Sequence, residues 1–416
     1  MTGPPKPRIL WAGKDHPTLN SGYGIVNRYI LPRLGDRYGR DNVLIYVPVY
    51  QRDTVGEWEG MRVLPGREWG YGEEMILDHY KEYNCNLLIT LGDVTPLGII
   101  PDLAAQDQVL WVAWAMVDWL GCPKNIFYRI KPAHKLVPAS KYGENLLRKA
   151  GLTNVEKAIW LGLNTDLWKP YDRDRMPHLM QCLGFRYDTF NILIVAANQE
   201  RKRVRHQMEA IRLFRKTRPD ARVRLYLHSF LKGDRDLLAD IDELELDICA
   251  CSDQYAMLTG GFAEEKMVKM FSCADLVLNV CHEGFGFAQV QAQAVGCPVI
   301  CLSEGAGPEL VQFGIETPPA TVAETGSHQM SQALPFPAAV AKAIEDLYDR
   351  RMTAGKPLRS EAAIKWVQEN LAWDKIAEQW YGVIDRCMED RMRYSMDLPE
   401  PSPGLLGRAK NMIELS

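Results

Sequence analysis

The 416-residue sequence has little of what marks several protein classes. Its longest uninterrupted apolar run, Val109–Val117, is nine residues long and ends at Asp118, well short of the roughly 20 that a helix needs to span a bilayer. The start, MTGPPKPR, has no apolar stretch behind its charges, so no secretory leader is expected and the cytoplasm is the expected location. None of the ten cysteines forms a CxxC pair, and Cys249 and Cys251 lack partners at zinc spacing. Reduced, mostly buried thiols are the expectation. A net charge of −4 excludes a uniformly basic nucleic-acid coat. Neither GxGxxG nor GxxxxGK(S/T) occurs, so the dinucleotide fingerprint and the P-loop are both missing.

What the sequence does have is alternation. Arg8–Ala12, Val43–Val49, Asn86–Leu91, Val109–Trp114 and Lys135–Val137 are compact apolar runs bounded by Gly, Pro, Asp or Asn, which is how strands buried on both faces read. Helical patterns begin at Ser21 and cover Gly72–Tyr83 and Lys141–Lys149. The alternation restarts after the turn-rich Gly162–Pro170, with strands expected at Phe190–Ala196, Arg224–His228, Leu276–Val280 and Pro298–Leu302. Helices are expected at His206–Thr217, Gly286–Val295 and, at the C-terminus, about Trp373–Tyr394. Strand–helix alternation of this kind specifies an α/β fold with mostly parallel sheets. The boundaries expected are 1–168 for a first Rossmann-like domain, 169–380 for a second, and 381–416 for a C-terminal helix and tail. Glu316–Pro337, rich in Pro, Thr, Ala and Ser, reads as an extended surface loop.

Ligands of open parallel sheets sit at the carboxyl ends of the strands, so the strand-to-helix loops are where chemistry is sought. The first such loop ends in Ser21-Gly22-Tyr23-Gly24, where two glycines let backbone approach a phosphate or simply make a tight turn. The second, Asn198-Gln199-Glu200-Arg201-Lys202-Arg203, puts cations at a helix start. That placement opposes the helix dipole, so these cations need another purpose, and neutralising a leaving diphosphate is one. The third, Cys281-His282-Glu283-Gly284-Phe285-Gly286-Phe287, combines a carboxylate with a Gly-Phe-Gly turn and opens a helix of small residues. A glycine-rich loop, Ser303–Glu309, follows the next strand.

The stretch EGFGFAQVQAQAVGCPVICLSEGAGPELV resembles the donor-site segment of the retaining GT-B glycosyltransferases, and is most similar to their family 4. SGYG, VPASKYGENLLRKAGL, GLNTDLWKP, NILIVAANQERKR and LAWDKIAEQW follow in that family's order over nearly the whole chain. The resemblance implies a GT-B fold: two Rossmann-like domains facing a cleft, with the C-terminal helix packing back toward the first. It also implies that a nucleotide-sugar, a UDP-sugar as the first expectation, is the co-substrate, and that no metal or other cofactor is required. By the same resemblance Glu283 holds sugar hydroxyls, the backbone of Gly284, Phe285, Gly286 and Phe287 meets the donor, Lys202 stabilises the diphosphate with Arg201 as helper, and Gly22 to Gly24 cover it from the facing domain.

Three positions depart from that pattern. Gln291 replaces the second glutamate of E-x7-E, which contacts the ribose in the family, and an amide can still hydrogen-bond there. The arginine of R-x4-K falls on Ala197. Where many members carry a histidine, this chain has Trp114-Ala115-Met116-Val117-Asp118, and Asp118 is either a sugar or acceptor contact or a structural aspartate. The D-x-D runs Asp172–Asp174 and Asp234–Asp236 read as solvated charge. Lys124–Lys157 carries eight basic residues against Glu144 and Glu156, an excess suited to anionic groups or merely an exposed helix face. Three acceptor classes compete: a glycan or glycoconjugate; a lipid, for which no clear basic–aromatic surface helix is present in the first half; or DNA bearing hydroxymethylated pyrimidines, with Trp58 and Trp69 able to stack or to fill the core. A non-catalytic protein that only binds a nucleotide-sugar is the competing class, favoured by Gln291 and Ala197 and opposed by the pairing of Glu283 with Lys202.

Overall fold

The computed structural model describes residues 5–48, 54–66, 74–94, 97–172, 177–325 and 330–397. In the first part of the chain run β1 (Ile9–Gly13), β2 (Val43–Tyr46), β3 (Gly56–Trp58), β4 (Met61–Leu64), β5 (Leu87–Asp93), β6 (Trp111–Met116) and β7 (Lys135–Pro138). They form one sheet in the order β3-β4-β2-β1-β5-β6-β7, parallel except for the antiparallel β3–β4 edge. Later come β8 (Phe190–Val195), β9 (Val223–His228), β10 (Cys249–Cys251), β11 (Leu276–Asn279), β12 (Val299–Leu302) and β13 (Gly314–Thr317). These form a second, wholly parallel sheet in the order β10-β9-β8-β11-β12-β13.

Helices cover both faces of each sheet, which explains why the central strands are apolar throughout. Ile9 and Trp11 pack with Ile30 and Leu34 of the helix Gly22–Tyr38 on one side of β1, while Leu10 joins Ile76 and Ile100 on the other. The helix starting at Gly22 is capped by Ser21, whose Oγ accepts from the Gly24 N–H at 3.0 Å.

The C-terminal helix, Trp373–Asp397, crosses back to the first sheet as the sequence implied. Trp380 meets Trp114 with ring centroids 4.9 Å apart and Trp11 at 6.1 Å. Tyr381 donates to the Arg33 carbonyl, Tyr38 to Asp385, and Arg391 to the Asn86 carbonyl. Aromatic edge contacts of this kind add about 0.5–1.5 kcal/mol beyond burial, so the end of the chain fastens the beginning.

One expectation is corrected. Glu316–Pro337 is not an extended surface loop: β13 runs to Thr317, and β14 (Pro319–Thr325) and β15 (Met330–Pro335) form an antiparallel hairpin, with Val322 opposite Ala333 and Glu324 opposite Ser331. Thr321, Val322 and Thr325 supply β-propensity that the Pro-, Ser- and Ala-rich composition hides. Pro319 and Pro335 face each other where the hairpin opens, at a ladder end that tolerates a missing N–H. Trp58 packs on the first core, and Trp69 lies outside the described residues.

Candidate active site

In a sheet ordered 3-2-1-4-5-6 the direction of winding reverses between its first and fourth strands, and ligands bind in the crevice there. The second sheet has this order, with its reversal between β8 and β11; the first reverses between β1 and β5. The loop after β8 carries Arg201 and Lys202, and the loop after β11 carries Glu283. From the first sheet, Asp93 ends β5 and Asp118 follows β6.

These groups meet. Lys202 Nζ donates to both Glu283 oxygens, at 2.6 and 2.7 Å. Arg201 Nη1 lies 3.1 Å from Asp118 Oδ2 and 4.0 Å from Glu283 Oε2. The Cys281 thiol donates to Glu283 Oε1 at 3.3 Å. Two cations thus neutralise two carboxylates, one from each sheet, and both Asp118 and Glu283 are buried, each 8% exposed. Burial raises the Asp118 carboxyl to about 6, with Arg201 opposing and Asp93 adding to the rise. Burial also pushes Glu283 upward, but Lys202 and Arg201 outweigh it and hold that carboxyl below its ordinary value. Arg201 loses some charge stability to burial and regains more from Asp118, Glu283 and Asp93, so its pKa is raised. Cys281 is raised by burial and by Glu283, and stays a thiol able to donate.

Backbone closes the gap between the sheets. A Cβ on Gly284 would stand 3.0 Å from the Val117 nitrogen, so a side chain there would push the loop after β11 away from the end of β6 by a few tenths of an ångström. Gly286, at φ +83°, turns the chain into the helix Phe287–Ala294 from a left-handed conformation that glycine adopts without strain. Gly22 faces Phe287, whose ring lies 3.4 Å from where its Cβ would be, and Phe285 packs edge-on against Phe287 at 5.5 Å. The Gly24 N–H is taken by the Ser21 cap. Gln291 is buried on the same helix, and no described residue hydrogen-bonds its amide.

Sequence reasoning did not single out Asp93, which accepts from the Tyr23 hydroxyl at 3.1 Å and lies 4.0 Å from Lys14. Its signal was present: an apolar run ending in Gly92-Asp93, much as β6 leads to Asp118. Asp234 accepts from the Glu200 N–H, Asp236 caps the helix Leu237–Glu243, and Arg235 pairs with Asp240. Of the other D-x-D run only Asp172 is described. Among the described residues no cluster of three or more His, Cys, Asp or Glu could hold a metal ion, and no helix is long and apolar enough to cross a membrane.

The basic stretch is partly consumed by structure. Lys135 pairs with Glu156 and Asp390, Arg148 with Glu144, Arg129 donates to the Gly98 carbonyl, and Lys141 stacks over Trp160. Lys124 and Lys149 have no ion pair among the described residues. Both line a cleft of about 740 Å³ with Leu120, Tyr142, Phe127 and Tyr128, and Glu304 from the second sheet's side. Tyr142 connects this cleft to the centre: its hydroxyl donates to the Trp119 carbonyl and its ring meets His282 at 5.3 Å.

Known proteins share this fold. Residues 189–350 match the family described as glycosyl transferases group 1. No curated protein matches the chain. Among solved structures, sucrose-phosphate synthase from Thermosynechococcus elongatus superposes with a TM-score of 0.71 at 17% identity, covering 93% of this chain and 100% of its own. HepE from Anabaena in complex with UDP gives a TM-score of 0.65 at 15% identity, covering 91% and 100%. The catalytic domain of starch synthase IV from Arabidopsis thaliana, bound to ADP and acarbose, gives 0.62 at 13% identity, covering 93% and 100%. The chain therefore has the GT-B fold of glycosyltransferases, and its residues 189–350 carry the match to glycosyl transferases group 1.

Proposed function

We propose that the protein transfers a sugar from a nucleotide-sugar, a UDP-sugar in the first instance, to a hydroxyl of a glycan or glycoconjugate, with retention of anomeric configuration and no need for a metal. The observation that carries this reading is Lys202 set on both oxygens of Glu283 at the reversal point of the second sheet. On donor binding Lys202 turns its charge to the departing diphosphate, and Glu283 faces the sugar. The backbone from Gly284 to Phe287 meets the donor, and Gly22 and Gly24 close over the diphosphate. Arg201 supports the leaving group and holds Asp118 toward the sugar or the acceptor hydroxyl. Residues 1–168 then act as the acceptor half and 169–380 as the donor half. HepE, whose structure is also described with UDP-glucose, is the precedent for a uridine donor.

The acceptor enters along the cleft between Lys124 and Lys149, where Phe127, Tyr128 and Tyr142 offer ring faces for stacking on sugars. Tyr128 is 65% exposed, which suits a surface waiting to be covered. The Lys124→Glu, Lys149→Glu double variant is expected to raise the acceptor KM about tenfold for an anionic acceptor, equivalent to roughly 1.4 kcal/mol, and to leave the donor KM unchanged. Equal acceptor kinetics in variant and parent would remove the two lysines from recognition.

The test of the function itself is nucleotide release from UDP-, GDP- and ADP-sugars, each alone, with glycans, and with plain or hydroxymethylated DNA. Stimulation by a glycan supports the reading. Release stimulated only by hydroxymethylated DNA replaces the acceptor with a modified base, and donor binding without release identifies a binding protein.

A further inference from the structure

We propose that strand β15 of the hairpin holds the Asp118 loop and the Glu283 loop in register across the cleft, and that Gln332 is the positioning residue for Asp118. This rests on the roles proposed above for the two carboxylates. Three successive residues of β15 each bond to a loop bearing one of them. The Ser331 carbonyl accepts from the Leu120 N–H at 2.7 Å. Gln332 Nε2 donates to the Asp118 carbonyl at 2.8 Å, a contact between residues 214 apart in the chain. The Ala333 N–H donates to Nδ1 of His282, the neighbour of Glu283, at 3.4 Å.

The geometry is that of an edge strand put to use. β15 pairs with β14 on one side only, and an unpaired strand edge seeks partners; here it finds the chain just past Asp118. His282 is held neutral, its pKa lowered to about 4 chiefly by burial, so Nδ1 can accept the Ala333 proton while the ring stays packed on Tyr142. Gln332 is 2% exposed, and its Oε1 is buried without a hydrogen-bond partner among the described residues. Turning the amide over would set Oε1 against the Asp118 carbonyl, so the bond itself fixes the assignment. An unpaired buried oxygen is destabilising; methionine would fill the same space without it but leave the Asp118 carbonyl without its donor. Among the described residues, the amide's hydrogen bond is the one that holds the Asp118 carbonyl.

With its carbonyl on Gln332 and its carboxylate on Arg201, Asp118 is fixed at both ends. The charged and titratable groups around that carboxylate are Arg201, Lys202, Asp93, Glu283 and Tyr142. A loop that slips loses Arg201 first, the cation that opposes the effect of burial on Asp118.

The experiment compares Gln332→Met and Gln332→Asn with the parent, measuring kcat, donor KM, the pH profile and the melting temperature, with Asp118→Asn alongside. A displacement near 1 Å costs about 10² in rate, so kcat is expected to fall toward that extent with donor KM little changed. The acid limb, near pH 6 in the parent from Asp118, is expected to move to higher pH. A hairpin that only stabilises the fold would lower the melting temperature and leave the surviving enzyme's pH profile in place, which overturns the proposal, as does failure of both variants to fold. Parental kcat and profile in a folded Gln332 variant, with Asp118→Asn inactive, also overturn it while sparing the role of Asp118. Full activity in Asp118→Asn removes that role instead.

Discussion

Lys202→Ala is expected to lower turnover about 10²-fold or more, because it removes the charge proposed to meet the leaving diphosphate in a site largely closed to water. The side chain is 13% exposed and lies between two carboxylate oxygens, where the reduced local dielectric makes each charge count for more than in water. Two further effects separate this from a general weakening. Glu283 would keep only Arg201, 4.0 Å away, and the Cys281 thiol against the upward push of burial, so its pKa should rise; Asp118, which Lys202 also holds down, should rise with it and carry the acid limb of the rate profile upward. Removing one partner of a buried pair also costs about 3–5 kcal/mol. The sign of that loss can be checked. A carboxylate whose folded pKa is depressed stabilises the fold above its unfolded pKa, ordinarily 4.5 here, and this contribution is lost as pH falls through the folded value. Parent and variant should therefore melt far apart at neutral pH and converge in acid. Lys202→Met, which keeps the apolar stem, provides a second folded form for the rate measurement. Near-parental turnover in either variant would remove Lys202 from the mechanism.

The fold was legible wherever a strand is buried on both faces and the helix after it is amphipathic. β1, β6 and β12 are apolar and small residues throughout, and β5 and β8 are interrupted only at Thr90, Asp93 and Asn191; the sequence alone places all five within a residue or two. β3, β4 and β10 escaped notice because they are three or four residues long and lie at or next to sheet edges, where Glu57 and Arg62 break the apolar signal. The hairpin escaped for a different reason: its Pro-, Ser- and Ala-rich composition hides the β-branched residues of β14, and no local pattern encodes the contact of β15 with a loop some 200 residues earlier. The same limit divides the candidate site. Arg201, Lys202 and Glu283 were readable because each follows a strong strand within one sheet. That Arg201 also reaches Asp118 of the facing sheet, and that Asp93 stands behind both, follows from how the two sheets face each other, which no single segment specifies.

Glu283→Gln is the substitution that isolates chemistry from folding. The amide matches the carboxylate in size, so packing against Val117 and the turn through Gly284 should survive. What changes is charge. Lys202 would face one carbonyl oxygen and one NH2 group instead of two anionic oxygens, and the Cys281 thiol would retain an acceptor only if the amide oxygen turned toward it. Transfer is expected to fall about 10³-fold, within the range assigned to a positioned acid–base side chain, while UDP binding persists, because the diphosphate contacts proposed above lie on Lys202, Arg201 and backbone. Lys202, freed from its counter-charge, should if anything hold the diphosphate more firmly, so a UDP dissociation constant equal to or below the parent's is the companion result. The acid limb assigned to Asp118 should remain, since that residue keeps Arg201 and its burial. Measured together, turnover and UDP affinity leave little room for a structural account: a variant that binds UDP, melts as the parent does and still transfers sugar at the parental rate would strip the carboxylate of its role and leave the Lys202–Glu283 pair as a strut between loops.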